Sequence, residues 1–147
     1  QRVDETLKIA QFDTVFADDI GSELWEKWLL LSTLGAVCCI ARGNTQQVLR
    51  SQGGKALLQG VFAEVLSVLS ADGYQERPAV TAKIFETLNN PQVAMTSSMY
   101  RDLTQGYEIE ADQVIGDLLV RGARSGVVTP LLNAVYVNLQ VYLQNRA

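Results

Sequence analysis

Three observations predict an all-α fold, a compact multi-helix bundle. Apolar residues recur at helical spacing along most of the chain. No stretch alternates at period two for long, and Val127-Val128 is too short to carry a sheet. Glycine, proline, asparagine and aspartate pairs fall at intervals of about one helix, as in Gly43-Asn44, Gly53-Gly54, Asp72-Gly73 and Asn89-Asn90-Pro91. The 147 residues, 48% hydrophobic and 19% charged, suit one domain over 1–147 with a sizeable core. No repeat or low-complexity segment interrupts it, and roughly six to eight helices are expected.

The elements follow in order. A first helix is expected over 3–12, on Leu7 and Ile9-Ala10, followed by a loop over 13–21 with the acidic pair Asp18-Asp19. Ser22 is expected to cap a long helix over about 23–40, apolar on most sides and therefore central. Gly43-Asn44 breaks it, and 45–49 forms a short helix. Gly53-Gly54 is a tight loop before a helix over 56–71, whose band is Leu57, Leu58, Val61, Phe62, Val65, Leu66, Val68 and Leu69. Asp72-Gly73 ends that helix, glycine suiting the left-handed cap position. Pro78 is expected at the first position of a helix running to about 88. Ser97 or Ser98 starts a short helix that stops at Gly106. Glu110 or Ala111 starts another, closed by Gly126 after Ser125. Pro130 opens the last helix, with Leu131, Leu132, Val135, Leu139 and Tyr142 inside.

Composition narrows the function. A net charge of −4 provides no basic excess to collect phosphates, so neither nucleic acid nor an anionic membrane is an expected partner. The apolar run from Trp28 to Ala41 falls short of the roughly 20 residues that span a bilayer, and no signal segment is recognised. A cytoplasmic location is expected. The chain starts at Gln1 rather than methionine, which suggests a fragment. Cys38 and Cys39 are neighbours whose side chains diverge by about 100° on a helix, so separate buried thiols are expected rather than a bridge. The sequence has no histidine, which removes histidine-based triads and leaves no expected metal site.

The residues able to carry chemistry are few. Lys27 opens the most apolar run and shares a helical face with Leu31 and Gly35. That face narrows towards glycine and would leave room for something small. Apolar surroundings disfavour an ammonium and suit it to giving up a proton. The alternative is a lysine whose stem lies on Trp25 and Trp28 with its charge in water. Ser98 and Asp102 share another face, as helix caps or as donor and acceptor to a ligand. Glu110 begins a helix, where carboxylates are favoured in any protein, and Glu108 and Asp112 flank it. Met99, Tyr136 and Tyr142 read as core anchors, and Arg121 and Arg124 as surface residues.

Four pieces together resemble the C-terminal helical domain of the ketopantoate reductase (2-dehydropantoate 2-reductase) family. They are Leu24-Trp25-Glu26-Lys27; Glu64 with Ala71-Asp72-Gly73; Ser97-Ser98-Met99-Tyr100-Arg101-Asp102 with Gly106 and Glu110; and Gly116 through Gly126-Val127-Val128-Thr129-Pro130. The resemblance implies a fold like the 6-phosphogluconate dehydrogenase C-terminal domain. It also implies an N-terminal Rossmann domain binding NADPH ahead of this chain, which lacks it, with the active site between the two. It places the catalytic lysine at Lys27 and the substrate-hydroxyl glutamate at Glu110. The substrate-carboxylate serine falls at Ser98 and an active-site aspartate at Asp102. Leu31 and Gly35 stand where the family usually has pocket asparagines, so a more apolar 2-keto acid is an expected substrate alongside ketopantoate. The implied enzyme is a cytoplasmic oxidoreductase of pantothenate biosynthesis, with a homodimer as a further expectation. The alternative is a non-catalytic helical interaction or dimerisation module.

Overall fold

The computed structural model describes residues 17–146; the helix expected over 3–12 lies outside them. Among the described residues there are seven α-helices, one π-helical turn and no strand. The helices are α1 (Ile20–Ala41), α2 (Thr45–Arg50), α3 (Gly54–Ala71), α4 (Pro78–Leu88), α5 (Ser98–Thr104), α6 (Asp117–Ser125) and α7 (Pro130–Arg146). The π-helical turn, Asp112–Gly116, runs directly into α6.

Helix α1 is the axis of the fold. It packs against α2, α3, α4, α5, α7 and the π-helical turn. Leu29, Val37, Leu58, Val61, Val65, Leu69, Ile115, Leu118, Leu132 and Leu139 are fully buried around it. By length and composition alone, α1 and α3 would each pass for a membrane span; here they are core helices packed on one another. Cys38 and Cys39 are buried free thiols.

The first cap differs from the expectation. Asp19, not Ser22, caps α1: its carboxylate accepts from the Ser22 amide (3.1 Å) and from the Ser22 hydroxyl (2.6 Å). Both residue types cap well, and with Asp19 as the cap the helix starts three residues earlier, a little under one turn. The Ser22 hydrogen bonds hold the Asp19 carboxyl below its usual range. At the other end Arg42 adopts a left-handed conformation (φ 53°). Asn44 and Gln47 then form a capping box for α2. Gly54 is obligatory for a steric reason: a Cβ there would stand 1.8 Å from the Val48 carbonyl oxygen.

Segment 91–97 leads to α5 and is tied to α2. Thr45 donates its amide to Met95 O (3.0 Å) and its hydroxyl to Val93 O (3.0 Å), while the Met95 amide donates to the same hydroxyl. Ser97 then caps α5 by accepting from the Tyr100 amide at 3.0 Å. Helix α7 receives its cap from a distance. Both oxygens of Glu64, on α3, accept the Leu131 and Leu132 amides at 3.0 and 2.9 Å.

Candidate functional site

Ile20, Leu24, Lys27 and Leu31 recur at the spacing of one helical face, and all four are exposed on α1. Lys27 is therefore a cation set in an apolar stripe, with Leu24 59% and Leu31 43% exposed beside it. An apolar cleft lined by Gly21, Leu24, Trp25 and Trp28 opens next to it.

The cation that lies over the indoles is an arginine. Trp25 and Trp28 stack with centroids 5.8 Å apart, and the Arg121 guanidinium lies 5.8 and 5.2 Å from their rings. Arg121, expected at the surface, is half-buried. It pairs with Asp117 (2.9 Å) and with Asp72, which raises its pKa further. Arg124 is exposed as expected. Glu26, the neighbour of Lys27, is buried. It accepts from Arg77 and from the Tyr74 hydroxyl (3.2 Å), while Arg77 also reaches Glu23 at 2.8 Å. These bonds join the first turns of α1 to the start of α4. Sequence reasoning missed the role of Glu26, whose partners lie about fifty positions away.

Further along the Lys27 stripe, α1 meets α5. A Cβ on Gly35 would stand 2.8 Å from the Met99 methyl and 3.7 Å from Ser97 Oγ. The room expected beside Gly35 is thus filled by Met99, which is buried as the core anchor it was expected to be. Lys27 and Gly35 are separated by roughly 12 Å of helix. Because Ser97 is the cap, Ser98 is the first residue of α5 and is exposed. Asp102, one turn on, is half-buried, and its backbone carbonyl accepts from the Tyr107 amide at 2.9 Å.

Glu110 is exposed immediately before the helix that begins with the π-helical turn. This turn also abuts α1: the Ser32 hydroxyl donates to Val114 O at 3.5 Å. The ends of α5 and of the π-helical turn therefore both adjoin α1, near Gly35 and Ser32. No direct hydrogen bond joins Lys27, Ser98, Asp102 and Glu110 to one another. Tyr136 and Tyr142, expected as core anchors, are half-buried and turn their hydroxyls to polar partners. Tyr136 donates to Asp112 (2.8 Å), which raises the phenol pKa above its usual 10.0, and Tyr142 donates to Tyr107 O (2.7 Å). Among the described residues no group of acids and thiols is placed to hold a metal.

Known proteins with this architecture are numerous. The profile of "Ketopantoate reductase PanE/ApbA C terminal" matches residues 19–143. The "Uncharacterized oxidoreductase YkpB" of Bacillus subtilis (strain 168) is 26% identical over 140 residues, which cover 95% of this chain and 46% of that protein. The chain thus spans about half the length of this curated relative. Among solved structures, a dimeric ketopantoate reductase from Staphylococcus aureus superposes with a TM-score of 0.82 at 19% identity, over 100% of this chain and 52% of that one. A D-mandelate dehydrogenase bound to NADH and anilino(oxo)acetate gives 0.81 at 19% identity, over 99% and 61%. A PanE/ApbA family ketopantoate reductase from Ralstonia eutropha JMP134 gives 0.77 at 22%, over 88% and 43%. With the helical fold of those structures and a family profile running from Asp19 to Leu143, this chain belongs to the ketopantoate reductase C-terminal domain family.

Proposed function

We propose that the chain is the substrate-binding half of a two-domain, NADPH-dependent 2-keto acid reductase. The observation that carries this reading is the family match running through Lys27, Ser98, Asp102 and Glu110, with Lys27 set in an exposed apolar stripe. The chain's own glycine pair has a packing role, since a Cβ on Gly54 would stand 1.8 Å from the Val48 carbonyl oxygen. On the family resemblance, coenzyme is held by an N-terminal Rossmann domain, for which the exposed stripe of Ile20, Leu24 and Leu31 offers a docking face. Covering that stripe removes water from around the Lys27 ammonium and strengthens its interaction with a developing negative charge.

A reduced nicotinamide coenzyme, when bound, would supply the hydride for the ketone carbon. The chain's residues do the rest. As the carbonyl oxygen gains charge, Lys27 donates a hydrogen bond and then a proton from Nζ, giving the alcohol. Glu110 accepts a hydrogen bond from the substrate's hydroxyl and orients it. Ser98 donates to the substrate carboxylate, and Asp102 holds the adjoining polar wall. Leu31, exposed beside the lysine, makes the remaining wall apolar, whereas Gly35 is taken up by packing against Met99. A cytoplasmic homodimer acting in pantothenate biosynthesis completes the reading.

Lys27→Ala in the two-domain protein tests it. Keto-acid turnover is expected to fall by more than about tenfold, in line with the typical contribution of a general acid. Coenzyme binding, followed by nicotinamide fluorescence, is expected to be largely kept. Unchanged turnover would remove Lys27 from the chemistry.

A further inference from the structure

Residues 106–112 carry Glu110 and are held from both ends by one helix. Upstream, Arg146 Nε donates to Gly106 O and Tyr142 Oη donates to Tyr107 O, each at 2.7 Å. Downstream, Tyr136 Oη and Gln140 Nε2 both donate to the same oxygen of Asp112 at 2.8 Å. All four donors lie on α7, in two pairs spaced four apart.

The segment between these grips is unusual. The Glu110 side chain accepts no hydrogen bond among the described residues; its carbonyl accepts from the Val114 amide at 3.0 Å, so what fixes its place is the backbone that carries it. That backbone enters a π-helical turn two residues later. A π turn is a wider, i→i+5 turn, and such turns recur at functional sites. Gly116, at the end of the turn, lets the Tyr136 ring lie close, since a Cβ there would stand 3.2 Å from Tyr136 Cε2.

We propose that α7 positions Glu110, with Tyr136 as its principal positioning residue. The phenol and the Gln140 amide anchor Asp112 and hold the π-helical turn, while Tyr142 and Arg146 fix the loop that enters it. This inference rests on the reading that Glu110 anchors the substrate's hydroxyl. It adds four residues that touch no substrate and govern affinity for one substrate group.

Tyr136→Phe in the two-domain protein tests the inference, because it keeps the ring against Gly116 and removes only the hydroxyl. For ketopantoate, KM is expected to rise about fivefold, the scale of one hydrogen bond, with kcat within about twofold. For the 2-keto acid of the same carbon skeleton without the hydroxyl, KM is expected not to change. Amide exchange over 106–112 is expected to accelerate. In a Glu110→Ala background, Tyr136→Phe is expected to add nothing to the ketopantoate KM. If Tyr136→Phe does not fold, Gln140→Ala removes the other donor to Asp112 and gives the same readouts. Equal effects on both substrates, or an unmoved KM where Glu110→Ala raises it, would overturn the inference alone. A Glu110→Ala variant with an unchanged ketopantoate KM would overturn the functional reading and this inference with it.

Discussion

Cys38 and Cys39 stand side by side on α1, where burial pushes their thiols up to about 11 and about 12 from an ordinary 9.0. Both are therefore protonated at neutral pH and unreactive in the native fold, as thiolate is the nucleophile. A thiol reagent at pH 8 is expected to label them only after denaturant is added; rapid native labelling would contradict their burial. The linkage has a definite sign. Folding raises these pKa values, so the thiols' contribution to stability is complete below about 9 and declines from there through about 12 as the unfolded chain loses protons first. Adjacent apolar thiols were legible in the sequence because burial follows from an apolar helix. The Glu26–Arg77 and Arg121–Asp72 pairs were not, because a charged residue announces its charge but not its partner. Arg121 looked like a surface cation at a helix end, whereas its place on the indoles and between two carboxylates depends on how α1, α3 and α6 meet.

Among the elements, those bounded by proline or by a left-handed glycine were readable in advance. Pro78 and Pro130 open α4 and α7 because the ring pre-sets a helical φ and needs no amide partner. Gly126 closes α6 at φ 70°. The π-helical turn was not readable, since one turn of wider helix leaves no apolar period to detect. The long-range cap on α7 was equally hidden. Gly54 shows how little tolerance the α2–α3 junction has. Gly54→Ala would drive a Cβ into the Val48 backbone carbonyl, which cannot move aside. A loss of about 3 kcal/mol is expected, at the upper end for overpacking. Gly60→Ala makes the comparison, because its new methyl would meet the Leu131 side chain, which can rotate away. Urea midpoints of the two variants check this: a Gly54→Ala variant no less stable than Gly60→Ala would refute the steric argument.

At the scale of the whole molecule, the bundle and its central helix follow from apolar periodicity, while the candidate site does not. Residue types at Lys27, Ser98, Asp102 and Glu110 were legible. What the sequence could not convey is that Met99 fills the notch at Gly35 and that Leu31 remains exposed beside the lysine. An apolar wall in that position predicts weak selection for ketopantoate over 2-keto acids with plain aliphatic tails. A competition panel on the two-domain protein with NADPH measures it. A preference for ketopantoate above about 100-fold, roughly 2.7 kcal/mol of transition-state discrimination, would show that other groups supply the missing polarity. The Glu64 cap has a consequence for when the molecule becomes competent. The amides that open α7 are satisfied by a carboxylate 67 positions earlier, so this helix cannot settle until α3 is already docked. On a ribosome, α7 emerges only after α1 to α6 have done so. A nascent or truncated chain missing it retains every residue of the proposed chemistry, yet lacks the donors that grip residues 106–112.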